Sequence, residues 1–164
     1  MKIALIRREY VAGRGGAERY AVTLSRALAD RGHDVHVFAG LAEQEPPPGI
    51  TLHHVPFISR PSAVKNASFQ KNSRRLVAGK TFDIVHGLSQ VFPQDVYRVG
   101  EPLHMHWLLQ RTATRWQRLL KYCSPRHQVI LTIERHIFMP GNYRRIIVNS
   151  RLCRQQVIDY YGVP

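Results

Sequence analysis

The residues of this chain that could do chemistry fall at a few junctions. Arg14-Gly15-Gly16-Ala17-Glu18-Arg19-Tyr20 joins a short apolar run to a long amphipathic one, the pattern of a strand, a glycine turn and a helix. Glycine lets a backbone reach positive φ and lets a ligand approach closely. The free N–H groups of a first helical turn, together with its dipole, favour an anion. A phosphate is therefore the natural guest of Gly15 and Gly16. Other polar residues close short apolar runs: His86-Gly87, then Gly100-Glu101, then His104-x-His106. A nicotinamide-type site needs G-x-G-x-x-G and an acid after the second strand. Here Gly13-Arg14-Gly15 leads to Glu18 where the third glycine should stand, and the second strand ends in Ala39-Gly40-Leu41. No glycine precedes a Lys-Ser or Lys-Thr pair, so the P-loop fails as well. His104 and His106 would project from one side of a strand, but no third ligand at zinc-like spacing joins them, and no metal is expected.

The elements that position these residues follow from the apolar pattern. Residues 2–6 form a continuous apolar run, as in a strand buried on both faces of a parallel sheet. A long basic loop is expected over 7–14. From Ala17 the positions Ala21, Leu24, Ala27 and Leu28 recur at helical spacing until Arg31-Gly32 stops the helix. Residues 34–39 make the second strand, completing a right-handed crossover unit. Further strands are expected at 50–56, 82–87, 95–100 and 145–150. Helices are expected at 61–79, 107–122, 128–138 and 151–160. Alternation of this kind specifies an α/β, doubly wound, mostly parallel Rossmann-like sheet with helices on both faces. Ligands of such sheets bind beyond the carboxyl ends of the strands, where Gly15, Gly16, His86, Gly87, Gly100 and Glu101 would gather.

Composition sets the partners. The chain has 164 residues, enough for one ordinary domain, and 24 Lys+Arg against 11 Asp+Glu give a formal charge of +13. Such a surface seeks polyanions: nucleic acid, anionic lipid or a phosphorylated substrate. The basic residues are spread over every element and carry no recognition-helix, zinc-finger or RNA-binding signature, so nucleic acid is not the expected partner. Two cysteines, Cys123 and Cys153, make no zinc pattern or disulfide framework and suit a reducing cytosol. No apolar run approaches the ~20 residues of a spanning helix. On a helix over 107–122, Arg111, Arg115, Arg118 and Lys121 flank an apolar side holding Leu108, Trp116 and Leu120, beside Trp107. This is the pattern of a surface anchor on anionic lipid or of a helix burying its stripe in the core.

Residues 2–6, then Gly15-Gly16-Ala17-Glu18, then Arg31-Gly32-His33-Asp34-Val35, resemble the opening of the family 4 retaining glycosyltransferases of the GT-B fold. Phe82-Asp83-Ile84-Val85-His86, Ile147-Val148-Asn149-Ser150 and Tyr161-Gly162-Val163-Pro164 resemble later landmarks of the same amino-terminal domain. Asp95-Val96-Tyr97-x-x-Gly100-Glu101 is similar to a segment of the lipopolysaccharide core glucosyltransferases. The resemblance implies that residues 1–164 form the acceptor-binding half of a transferase, with the donor domain and its Glu-x7-Glu motif absent. It implies a nucleotide sugar and a glycolipid or glycan acceptor as substrates, lipopolysaccharide biosynthesis as a setting, no cofactor, and a cytoplasmic enzyme peripheral to the inner membrane face. Gly15, Gly16 and Glu18 would then face the donor diphosphate. Glu101, His86, His104 or His106 would lie near the acceptor hydroxyl, Glu101, His86 and His106 being the catalytic candidates, and the half alone would be inactive.

Overall fold

The computed structural model describes residues 1–11, 13, 15–42, 46–112 and 114–163, and the backbone alone of Arg115, Gln117, Arg118 and Leu119. In chain order the elements are β1 (Lys2–Tyr10), α1 (Gly16–Ala29), β2 (Asp34–Ala42), β3 (Ile50–His54), α2 (Ser62–Ala78), β4 (Ile84–Gly87) and β5 (Val96–Val99). There follow α3 (His104–Gln110), α4 (Arg115–Tyr122), α5 (Pro125–Ile137), β6 (Arg145–Val148) and α6 (Arg151–Tyr161). The strands pair in the order β3-β2-β1-β4-β5-β6, parallel throughout. This is the doubly wound sheet that the alternation of runs specifies.

Alternation along β1 explains why the whole run is apolar. Ile3 and Leu5 pack with Ala21 and Val22 of α1, whereas Ala4 and Ile6 pack with Phe69 of α2. Successive side chains of a strand point to opposite faces, so a strand covered by helices on both sides offers no place for a polar residue. The far side of the sheet has its own core, in which Tyr97 and Val99 of β5 meet Ile133 and Ile137 of α5 and Cys153 and Val157 of α6.

Several boundaries differ from those expected. β1 runs on to Tyr10, so Arg7, Arg8 and Glu9 are strand and not loop: Arg7 and Glu9 stay in register with Ala39 and Leu41 of β2, and Tyr10 and Ser25 of α1 are tied by a buried hydroxyl pair at 2.7 Å. The helix expected over 107–122 is two helices, and its start lies at His104, which takes His104 and His106 off a strand. Thr112 Oγ1 donates to the Leu108 carbonyl at 2.9 Å, the back-bonding by which threonine competes with helix continuation. α5 opens at Pro125, pre-set for a first helical position. Gly15 and Gly16 do not use positive φ; among the described residues that region is taken by Gly32, Gly49, Gly141 and Gly162. Gly15 is the extended N-cap of α1, at φ −177°.

Candidate active site

Beyond the carboxyl ends of β1, β4 and β5 lies a cavity of about 450 Å³. β1 brings Arg7 and Arg8 to its wall, α1 brings Ala17 and Glu18, and the segment after β5 brings Gly100 and Glu101. Glu18 answers the question of what meets the helix start. Its Oε1 accepts from Arg7 Nη2 at 2.5 Å, with both side chains largely buried. Its Oε2 would stand 2.7 Å from a Cβ placed on Gly15, so Gly15 makes room for this carboxylate. Burial pushes the Glu18 carboxyl up, but the hydrogen bond and charge of Arg7 outweigh it and hold it below the usual range. Arg7 Nη1 also donates to the Leu88 carbonyl at 2.6 Å. Arg8 Nη1 donates to Asn66 Oδ1 at 2.8 Å, while burial lowers its pKa from the ordinary guanidinium value.

The opposite wall rests on Glu134 of α5, which is 2 % exposed. Its Oε2 accepts from the His104 N–H at 2.6 Å and its Oε1 from the Met105 N–H at 3.2 Å. The Tyr161 hydroxyl donates to the same Oε1. The first N–H groups of α3 are thus satisfied by a side chain from another helix, the service a cap residue ordinarily gives. Gln156 Oε1 accepts from the Leu103 N–H at 3.0 Å, and Asn149 Nδ2 donates to the Gly100 carbonyl at 2.9 Å. Residues 100–105 are therefore fixed from α5, α6 and the end of β6. Glu101 itself is exposed, lines the cavity, and its charge reaches Arg8.

The other expected residues divide. His104 lines the cavity, its Nε2 paired with His127 Nδ1 at 2.8 Å, and burial with the neighbouring His127 and Arg126 lowers its pKa to about 4. His86 sits inside the sheet in register with Leu5 and Val96, where burial and Arg98 lower it to about 4. His106 meets the Tyr160 hydroxyl at 3.1 Å. Neither His86 nor His106 lines the cavity. Gly15 and Gly16 adjoin it through Ala17. Trp107 also lines it, stacked on His104 at 5.5 Å, with the Arg111 guanidinium 5.0 Å and the Lys121 ammonium 5.7 Å from its ring. The side chains of Arg115 and Arg118 lie outside the described residues. Trp116 and Leu120 of α4 stand out to solvent, 76 % and 72 % exposed. Arg7, Arg8, Asn66 and Glu134 line the cavity and were not among the residues expected from the sequence.

A carboxyl-end cavity with two opposed polar walls is the ligand crevice of a doubly wound sheet, and one family accounts for the sequence around it. The family model of Glycosyltransferase Family 4 matches residues 14–164. The chain belongs to glycosyltransferase family 4. Among curated proteins none matches the sequence. The family 4 chain has the fold of WaaG, a glycosyltransferase involved in lipopolysaccharide biosynthesis, with a TM-score of 0.86 and 20% identity over 99% of this chain and 42% of that one. It is also similar to the sucrose-phosphate synthase of Thermosynechococcus elongatus, with a TM-score of 0.63 and 18% identity over 98% of this chain and 45% of that one. The family 4 chain thus spans less than half the length of either structure.

Proposed function

We propose that this domain is the acceptor-binding half of a glycosyltransferase that moves a hexose from a nucleotide sugar to a glycolipid or lipopolysaccharide-core acceptor at the inner membrane face. A second domain would complete the donor site. The observation that carries the reading is the state of the cavity's carboxylates. Glu18 is paired with Arg7 and Glu134 is spent on α3 and Tyr161, whereas Glu101 makes no hydrogen bond or ion pair among the described residues. A carboxylate held on a fixed segment can accept the hydrogen bond of an acceptor hydroxyl and raise its nucleophilicity. Across the cavity the donor diphosphate would approach the start of α1, where Glu18 is already paired with Arg7.

The membrane part of the proposal rests on α4. Trp116 and Leu120 are exposed beside Lys121 on a +13 chain, and an apolar face rimmed by cations lies in a lipid interface. No helix of the described residues is long and apolar enough to cross a bilayer. A basic anion- or nucleic-acid-binding module is the competing reading, favoured by charge alone. The deciding assay follows transfer from a panel of nucleotide hexoses to lipid-linked acceptors by the enzyme with its donor half. Glu101→Gln should lower turnover by about 10²–10⁴-fold and Gly16→Val should lower it as well, both with little change in thermal midpoint. The 164-residue chain alone should turn over nothing, because positioning both substrates supplies much of the rate. Near-native rates in Glu101→Gln would move the acceptor hydroxyl elsewhere.

A further inference from the structure

The arginines that line the transfer cavity are not alike. Arg7 is spent on Glu18 and the Leu88 carbonyl, and Arg8 on Asn66. Arg98 of β5 lines the same cavity and makes no hydrogen bond or ion pair among the described residues. Its guanidinium lies 3.9 Å from the centre of the Tyr20 ring of α1, so the side chain crosses from β5 to the helix that carries Glu18. Gly100 leaves the room for it: a Cβ there would stand 2.5 Å from Arg98 Nη1. The residue is half-buried.

A ring face attracts a guanidinium through its quadrupole but satisfies none of its N–H donors, which lie in the guanidinium plane. Water serves those donors only until a substrate displaces it. A substrate with no acceptor there would leave them unmade, and the penalty is larger for a charged group than for a neutral one. The planar fork matches two oxygens of a phosphate or carboxylate. Stacking on Tyr20 sets its plane before any ligand arrives, so less freedom is lost on binding. Glu101 follows on the same segment, and an anion held by Arg98 brings its carrier into the cavity that Glu101 lines. Arg126 lines the cavity too and is exposed, where solvent screens its charge.

We propose that Arg98 is the residue by which this cavity recognises an oxyanion, a phosphate or a carboxylate, carried by a substrate of the transfer. The inference rests on the reading of the cavity as the transfer site, but its test is a binding measurement and needs no turnover. The purified protein is titrated with glucose-6-phosphate, glucuronate, uridine diphosphate and glucose at about 0.15 M salt, where scattered surface charges are largely screened. An anionic probe should bind about tenfold or more tightly than glucose, and in the native protein it should shift the Arg98 Nε–H resonance. Arg98→Gln should abolish that preference. Gly100→Ala, whose methyl group displaces the guanidinium without removing it, should weaken it. Arg98→Lys should keep part of it, as a change that merely disturbed the sheet would not, and Arg126→Gln should leave it unchanged. Loss confined to the sugar phosphate and sugar acid places the anion on the acceptor, and loss confined to uridine diphosphate places it on the donor; either upholds Arg98 as its partner. Binding that depends on Arg98 in an enzyme that transfers nothing with its donor half would uphold the proposal and count against the transfer reading alone. Equal affinity for anionic and neutral probes, native binding in Arg98→Gln, a loss in Arg126→Gln as large as in Arg98→Gln, or no binding at millimolar concentration would overturn it.

Discussion

Replacing Glu134 tests how the candidate site is held. Glu134→Leu keeps an apolar side chain of similar reach but removes the acceptor for the N–H groups of His104 and Met105 and for the Tyr161 hydroxyl. A buried donor left unmade costs about 1–3 kcal/mol. With one strong contact at 2.6 Å and one weaker at 3.2 Å, the loss should be about 2–4 kcal/mol, a large part of the stability of an ordinary domain. Urea unfolding followed by tryptophan fluorescence reads this directly, since Trp107 sits on the segment that is released. The pH dependence adds a signed check. Burial holds the Glu134 carboxyl above its ordinary value of 4.5, against the pull of its three donors. A group with a raised folded pKa contributes fully below its unfolded value and loses that contribution as pH rises through the folded one. The stability gap between the native protein and Glu134→Gln should therefore narrow as pH rises above 4.5. A Glu134→Leu loss below about 1 kcal/mol, or a gap that widens with pH, would refute this account of residues 100–105.

Arg7→Met leaves the Glu18 carboxylate buried without its cation and should cost about 3 kcal/mol in urea unfolding. Because Glu18 is held low, its contribution is present above the ordinary value and lost as pH falls through the folded one, so the gap between native and Glu18→Gln should close in acid. Gly40→Ala would set a Cβ 2.7 Å from the Phe57 ring and 3.1 Å from the Arg8 carbonyl; the overpacking should lower stability by about 1–3 kcal/mol, and an unchanged midpoint would show that Phe57 moves freely. Sedimentation with vesicles should show binding to anionic but not neutral lipid, at about 1 kcal/mol per cation near the surface. That binding should weaken in Trp116→Ala/Leu120→Ala and in the Arg111, Arg115, Arg118→Gln variant, while duplex and single-stranded nucleic acid should compete poorly.

The strands were legible because burial on two faces leaves a plain apolar run, as in Ile3 to Ile6. The far end of β1 was not, since Arg7 and Arg8 are polar strand residues whose partners, Glu18 and Asn66, come from other elements. The place of Glu101 at the cavity was legible from its position after a strand. His86, expected there by the same rule, does not line the cavity, because the chain pairs through Gly87 and reaches the cavity from Leu88 to Gln90. Nothing local marks Glu134: its meaning comes from α3 packing against α5, and a lone Glu on the buried face of a helix carries no trace of the N–H groups it meets. The break between α3 and α4 hid behind an unbroken amphipathic period, of which Leu108 is buried while Trp116 and Leu120 are not.

The β4–β5 ladder holds two residue pairs, His86 with Val96 and Gly87 with Tyr97, and is extended by hydrogen bonds between Val85 and Asp95, whereas β1 and β2 run together along almost their whole length. On either side of this short ladder lie distinct buried cores, one built on β1, β2 and α1 and the other on β5, β6, α5 and α6, with α2 against α5 as a further tie. Arg7 and Glu18 lie on the side of the first, Glu101 and Glu134 on that of the second. Sub-global opening at the junction between these cores would change the width between the Glu18 and Glu101 segments while each core stays intact. Amide hydrogens of the β4–β5 junction would then exchange sooner than those of Leu5 or Val37, and a substrate spanning the two walls would slow them.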